Sequence, residues 1–333
     1  MSPEPGGSVQ GARVKPFIDA LRSAVRGEVR ENEALGRWST YRIGGPATVL
    51  FPASAEDVAN AVRLCAERGV SWFALGLGSN LLFPDDGLDA LVIRIGKGLD
   101  ATTDDGSHWV IGAGLPQPLA AKRTAAAGWG GIHKMVGVPG SVGGGIVMNA
   151  GCHGAEWRDT VVSVTAIDEH GRDRVIPAME VGFTYRRSAL GRAIVLAATV
   201  ELHRADPAVL ESEVDRLYRW RRDGTPFNQP CCGSVFKNPI LPAAYGPAPP
   251  RTAGQFIEAA GLKGTRVGAV EVSPMHANYF INTGDGRSAD VVALMRTARD
   301  RIRDGWGVVL EPEVKLIGVD GTAASLDASI GSA

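Results

Sequence analysis

The sequence predicts an α+β fold, with a glycine-looped first part and a second unit of different texture. Three observations carry this. A strand–helix–strand run occupies residues 47–95. Two glycine-rich segments, Gly76–Asn80 and Gly137–Gly151, interrupt the region that follows strands. After Pro226 a Pro/Ala/Gly stretch leads into a short helix, a strand and a long amphipathic helix.

The elements follow in order. Residues 1–14 are polar and rich in Pro and Gly, without the apolar run of a signal peptide, and a disordered start is expected. Pro16 to Arg26 has helical periodicity through Phe17, Ile18, Leu21 and Val25. Ala47 to Phe51 reads as a strand. Ser54-Ala55-Glu56-Asp57 then opens a helix with a capping hydroxyl and acidic first-turn residues. Val58, Val62 and Cys65 line its apolar face, and Gly69 closes it. Trp72 to Leu75 and Leu91 to Ile95 are strands of a small βαβ-type unit.

Trp109 to Gly112 reads as a strand and Pro116 to Ala127 as an alanine-rich helix ended by Gly128. Val161 to Ile167 and Ile194 to Leu202 are β-rich. Pro207 to Arg222 reads as a helix with Val209, Val214 and Leu217 apolar. Pro239 to Pro250 is an exposed loop. Ala253 to Ala260 is a short helix, Tyr279 to Ile281 a strand, Ala289 to Ile302 a long helix, and Val308 to Ile317 one or two strands. These elements place a domain boundary near residue 205. They imply units over 15–100, 101–204 and 205–320, with a flexible tail over 321–333.

The 333 residues suffice for two or three domains. Hydrophobic residues make up 44% and charged residues 21%, so an ordinary globular core is expected. The formal net charge of -1 argues against nucleic acid or an anionic membrane as partner. No run is long and apolar enough to span a bilayer. The four cysteines, Cys65, Cys152, Cys231 and Cys232, form no C-x-x-C pair, and no histidine has zinc-site spacing. No metal is expected, and the thiols read as reduced in a cytoplasmic protein.

Six of the fifteen residues in Gly137–Gly151 are glycine, and the segment carries no charged side chain. Bare backbone lets a ligand approach, and its N–H groups can point at one anion. A glycine-rich loop beside a sheet would look the same. Leu75-Gly76-Leu77-Gly78-Ser79-Asn80 leaves a strand and adds hydroxyl and amide donors. It has neither the third glycine of a Rossmann turn nor the Lys of a P-loop. An ordinary strand-exit turn is the plain reading of this loop alone. Two such loops in one chain suit the two phosphates of a dinucleotide.

Other residues carry candidate chemistry. Arg186, beside Tyr185, is either a surface charge or a fork for a carboxylate. Ser234-Val235-Phe236-Lys237-Asn238 gathers a hydroxyl, an ammonium and an amide around an apolar pair. Ser234 lacks triad partners, which leaves a proton donor or a phosphate contact. Glu311 and Glu313 would share one face of a strand, an exposed face by default. His276 is a loop residue, either a ligand contact or simply capped.

The order of these segments resembles one family, the UDP-N-acetylenolpyruvoylglucosamine reductases. The blocks are Ser39–Gly45, Gly76–Leu82, Gly137–Gly154, Tyr185–Ser188, Gly233–Pro239, Ala253–Gly264 and Glu313–Lys315. They cover about residues 30–318. The short stretch from Arg186 to Ser234 resembles the type II branch. Gly145 stands where alanine is usual, Cys231-Cys232 replace small residues, and Pro239–Pro250 is long for the family.

The resemblance implies a two-lobed FAD-binding domain of the vanillyl-alcohol-oxidase (PCMH) type and a C-terminal α+β substrate-binding domain. It implies non-covalent FAD, NADPH as reductant, and UDP-N-acetylglucosamine enolpyruvate as substrate in peptidoglycan precursor synthesis. Hydride would pass from flavin N5 to C3 of the enolpyruvyl group, with protonation at C2. The family assigns catalysis to Arg186, Ser234 and Glu313. It assigns the cofactor to Arg42, Ile43 and Gly44; to Gly76, Leu77, Gly78, Ser79, Asn80 and Leu81; to Pro139, Gly140, Ser141, Val142 and Gly143; and to Asn149, Ala150 and Gly151. Tyr185, Lys237, Asn238, His276 and Lys315 are expected at the substrate. A monomer is expected. Two other readings compete. One is an FAD oxidase of the same superfamily, with Cys152 or His153 as a flavin tether. The other is a nucleotide-binding module without catalysis, which would not need Arg186, Ser234 and Glu313 together.

Overall fold

In the computed structural model, residues 9–242, 245, 246, 248 and 250–327 are described, with side chains from residue 15. The first sheet has four strands in the order Glu28–Ala34, Pro46–Phe51, Leu91–Arg94, Trp72–Leu75. Pro46–Phe51 and Trp72–Leu75 both run parallel to Leu91–Arg94. The helix Ala55–Arg68 makes the crossover. Ser54 caps it by accepting from the Asp57 amide at 3.4 Å, and Gly69 at φ 64° ends it. Val58, Val62 and Cys65 are its buried face.

The second sheet has five strands in the order Asp173–Pro177, Val161–Ile167, Ile194–Glu201, His108–Gly112, Thr102–Asp104, all antiparallel. One continuous apolar core runs from Leu50, Val58 and Ile93 of the first unit to Trp109, Val164 and Ala198 of the second. The two lobes therefore share a core.

The C-terminal unit has its own core. Three antiparallel strands, Arg266–Val267, Val270–Val272 and Phe280–Asn282, are covered by the helix Ser288–Trp306, which buries Val291, Leu294, Met295, Ala298 and Ile302. Phe256 and Ile257 of the helix Ala253–Ala259 join the same core. The chain then returns to the first unit. Lys315–Ile317 pairs in parallel with Leu81–Leu82, directly after the first glycine loop. This return brings residues 311–315 to the glycine turns. Among the described residues no helix is long and apolar enough to cross a membrane.

Several expectations are corrected. The backbone is already helical at Val9, within the start expected to be disordered; residues 1–8 lie outside the described residues. Val209 is 61% exposed, and Leu210 takes its place beside Val214 and Leu217. Spacings of four and three keep a helical face together, whereas Val209 to Val214 is five. That face packs into the first core, although the boundary expected near 205 groups this helix with the later unit. Val308–Val314 is not a regular strand. It is an extended segment joined by a single bridge, Phe236 to Pro312. The tail begins ordered, with Ala323–Ala324 paired to Leu316 and Ile317 and with Leu326 buried. Residues 328–333 of that tail, and 243, 244, 247 and 249 of the Pro239–Pro250 loop, lie outside the described residues. The strand Glu28–Ala34 escaped sequence reading because it is a largely exposed edge without apolar alternation.

Candidate active site

The two glycine segments meet face to face. A Cβ on Gly76 would lie 2.4 Å from Ser141 Oγ, and a Cβ on Gly140 would lie 2.7 Å from Ser79 Oγ. A side chain at either glycine would push aside the serine hydroxyl of the partner loop. Beneath Gly78, at φ 62°, the Trp38 carbonyl occupies the space a Cβ would need. Ser141 caps the helix Val142–Val147 by accepting from the Gly144 amide at 3.4 Å. A bare double-loop cradle of this kind fits an extended dinucleotide, and FAD is the group the residues suit.

Arg186 closes one side of this cradle. It sits in a tight turn in which Thr184 and Arg187 exchange backbone hydrogen bonds, and it adopts φ 55°. That left-handed backbone is unusual for arginine and marks a constrained position. Its Nη2 donates to the Gly151 carbonyl at 3.0 Å and its Nη1 to the Asn149 carbonyl at 3.5 Å. Nε faces Glu313 Oε1 at 3.2 Å, and Glu156 Oε1 lies 3.6 Å from Nη1.

Glu313 arrives from the far end of the chain. Asn80 fixes its backbone: Asn80 Nδ2 donates to the Glu313 carbonyl at 3.1 Å, and the Lys315 amide donates to the Asn80 carbonyl at 2.9 Å. Burial raises the Glu313 carboxyl above the ordinary carboxylate value. Arg186 and Lys237 oppose the shift without cancelling it. A carboxyl held this way keeps its proton further toward neutrality.

Ser234 stands on the neighbouring extended segment. The Glu313 amide donates to the Val235 carbonyl at 2.8 Å, and the Lys237 amide donates to the Glu311 carbonyl at 2.9 Å. The buried Asn278 clamps this segment from the other side. Its Oδ1 accepts from the Phe236 amide at 3.0 Å and its Nδ2 donates to the Phe236 carbonyl at 2.8 Å. The Tyr279 phenol lies near Ser234, and burial pushes it up to about 12. Arg221 lies over the Tyr279 ring at 5.5 Å, and His276 packs on the same ring at 4.8 Å.

The structure thus brings Arg186, Glu313, Lys237 and Lys315 together: Arg186, Lys237 and Lys315 all act on the Glu313 carboxyl, and Ser234 is on the adjoining segment. Burial and the Lys237 charge lower Lys315. Tyr185 is exposed and stacks on its neighbour, with the Arg186 guanidinium 4.9 Å from its ring. Burial also lowers His276, and its Nδ1 accepts from the Asn278 amide at 3.2 Å.

Other expected residues have different work. Asn149 is fully buried; its Nδ2 donates to Glu156 Oε2 and to the Thr184 carbonyl, both at 3.0 Å. Its side chain braces the Arg186 turn instead of facing a ligand. The side chains of Ile43 and Val142 are packed in apolar cores, which leaves their main chains at the loops. Asn238 Oδ1 caps the helix Ala253–Ala259 by accepting from the Ala253 amide at 3.1 Å. Glu311 is exposed and paired with Lys237, so the two glutamates do not share a face. Glu156, Arg221, Asn278 and Tyr279 were missed. No local motif marks them, because each earns its place through a partner distant in sequence.

The fold and site define a flavoprotein. Residues 46–175 match the family described as FAD binding domain. Residues 225–317 match the UDP-N-acetylenolpyruvoylglucosamine reductase C-terminal domain. A relative from Halalkalibacterium halodurans, named UDP-N-acetylenolpyruvoylglucosamine reductase, is 38% identical over 92% of this chain and 99% of its own. A relative of that name from Rubrobacter xylanophilus is 40% identical over 86% of this chain and 94% of its own. The solved UDP-N-acetylenolpyruvylglucosamine reductase (MurB) of Thermus caldophilus is 30% identical, with TM-score 0.74 over 87% of this chain and 99% of that one. The chain belongs to the UDP-N-acetylenolpyruvoylglucosamine reductase family.

Proposed function

We propose that this protein reduces UDP-N-acetylglucosamine enolpyruvate to UDP-N-acetylmuramate, with Arg186, Glu313 and Ser234 as its catalytic residues. The observation that carries the proposal is the Arg186–Glu313 contact at 3.2 Å, held between the two glycine segments with Ser234 on the adjoining segment. FAD, when bound in the cradle, supplies the hydride it has taken from NADPH.

The protein's own residues supply the rest. Hydride addition to the enolpyruvyl double bond moves negative charge onto the substrate carboxylate. Arg186, fixed by the Gly151 and Asn149 carbonyls, meets that charge without reorganising. Glu313, whose carboxyl burial raises, donates a hydrogen bond to the same carboxylate in its protonated form. Ser234 gives a proton to C2. A serine is a weak acid, so the strong basicity of the carbon centre and the clamp by Asn278 must carry that step. Lys237, Lys315, His276 and Arg221 form the cationic and polar wall that suits the substrate diphosphate. The proposal includes non-covalent FAD and a cytoplasmic monomer. Burial raises Cys152 and so disfavours the thiolate a tether would need.

Anaerobic stopped-flow with Ser234→Ala tests the reading. NADPH should bleach the flavin at the unsubstituted rate, and the enolpyruvyl substrate should fail to restore it. Restoration at the unsubstituted rate removes Ser234 from the mechanism. A flavin restored by oxygen alone in the unsubstituted protein points to an oxidase. A protein that takes up no flavin leaves the non-catalytic binding module.

A further inference from the structure

Arg94 is a half-buried cation with no carboxylate partner among the described residues. It ends the strand Leu91–Arg94, opposite Leu75, the last residue before the Gly76-Leu77-Gly78 turn. Its guanidinium lies 5.5 Å from the Trp38 ring, and the Trp38 carbonyl sits directly beneath Gly78. Its Nη1 donates to the Ile95 carbonyl at 2.5 Å, while its buried Nε donates to nothing among the described residues. No carboxylate among those residues offsets it. Burial alone lowers its pKa, to about 10. Gly96 comes next but one, and the missing Cβ of Gly114 would run into the Gly96 carbonyl at 2.2 Å. Arg94 therefore stands among three glycine-bearing turns.

A partly desolvated guanidinium without a carboxylate partner is costly to the folded chain. The glycine segments lack what Arg94 has in excess. Neither Gly76–Asn80 nor Gly137–Gly151 contains a lysine or an arginine, yet a dinucleotide brings a diphosphate with two negative charges. Arginine is the side chain suited to such a group, because its planar fork meets two phosphate oxygens at once.

We propose that Arg94 binds the diphosphate of FAD and supplies the positive charge absent from both glycine segments. This rests on the chain binding FAD, which titration of the unsubstituted apoprotein checks separately. The test uses deflavinated full-length protein with Arg94→Met and Arg94→Lys, read by flavin fluorescence and by the melting temperature without cofactor. In Arg94→Met the FAD dissociation constant should rise by roughly tenfold or more, as expected for loss of one charged contact. ADP should compete more weakly by the same factor, and riboflavin binding should not change. Arg94→Lys should recover part of the loss. The apoprotein of Arg94→Met should melt no lower than the unsubstituted one, since a half-buried charge without a carboxylate partner has gone. Unchanged FAD and ADP affinity in a folded Arg94→Met or Arg94→Lys protein overturns the assignment. Equal weakening of riboflavin and FAD overturns it as well, by making the defect structural.

Discussion

Arg186 Nε lies 3.2 Å from the Glu313 carboxylate, and Glu156 holds the other end of the same guanidinium at 3.6 Å. One cation is thus braced between two acids, with both Nη atoms also tied to main-chain carbonyls. Its direction is set before any substrate arrives. Replacing Arg186 with lysine keeps the charge and loses the fork. Arg186→Lys should lower kcat by about 10²–10³-fold, the scale seen when one preorganised donor is lost. NADPH-driven bleaching of the flavin should persist. A loss confined to KM would show that Arg186 binds the ground state instead.

The raised Glu313 carboxyl makes a pH prediction with a definite sign. Its folded value lies above the ordinary 4.5 because of burial. The neutral acid is the form that donates, so kcat should be full below the shifted value and fall as pH rises through it. Its contribution to folding stability should fade over the same limb. Arg186, Lys237 and Lys315 all face this carboxyl, and each favours its ionised form. Lys237→Met should therefore move the limb to higher pH, and Glu313→Gln should abolish it. A limb that stays fixed in Glu313→Gln belongs to another group.

Tyr279 should matter through its hydroxyl alone. Its ring is buried under Arg221 and beside His276, and its phenol meets Ser234 while remaining protonated up to about 12. Tyr279→Phe keeps the packing and removes the hydroxyl near Ser234. We expect the melting temperature to hold and flavin reoxidation by substrate to slow by about tenfold, the scale of one neutral hydrogen bond. Slowing of the NADPH half-reaction to the same extent would move Tyr279 away from the protonation step.

Gly145 is fixed by a buried hydrogen bond. Trp157 Nε1 donates to Gln117 Oε1 at 2.7 Å, and a Cβ on Gly145 would lie 2.2 Å from that oxygen and 2.5 Å from that nitrogen. Gly145→Ala must part the pair or shift the helix Val142–Val147. Such overpacking costs about 1–3 kcal/mol. Thermal unfolding of the apoprotein should show it, and an unchanged melting temperature would mean that the Gln117 side chain simply swings aside.

Much of this molecule is written locally. The Ser54 cap, the acidic first turn and Gly69 specify one helix without help from the rest of the chain. The strands over 72–75, 161–167 and 194–201 follow from short apolar runs that the sheets bury in part. The order of the glycine, Arg186, Ser234 and Glu313 blocks identified the family and its chemistry, because residue types and their sequence are what such blocks consist of.

Tertiary structure decided which of those residues meet. Asn80 and Glu313 are 233 positions apart, and their hydrogen bond exists because Lys315–Ile317 returns to pair with Leu81–Leu82. The same return separated Glu311 from Glu313 and drew Glu313 into burial. The side-chain amide of Asn149 meets Glu156 and the Thr184 carbonyl beside Arg186, partners that its local sequence does not reveal. Arg94 lies inside a strand-forming run with nothing local to single it out, and only the fold leaves its Nε buried without a partner among the described residues. Propensity and capping act over a few residues and can be read from neighbours. Burial, charge pairing and pKa depend on what a side chain meets when distant segments close, and only the folded chain sets that.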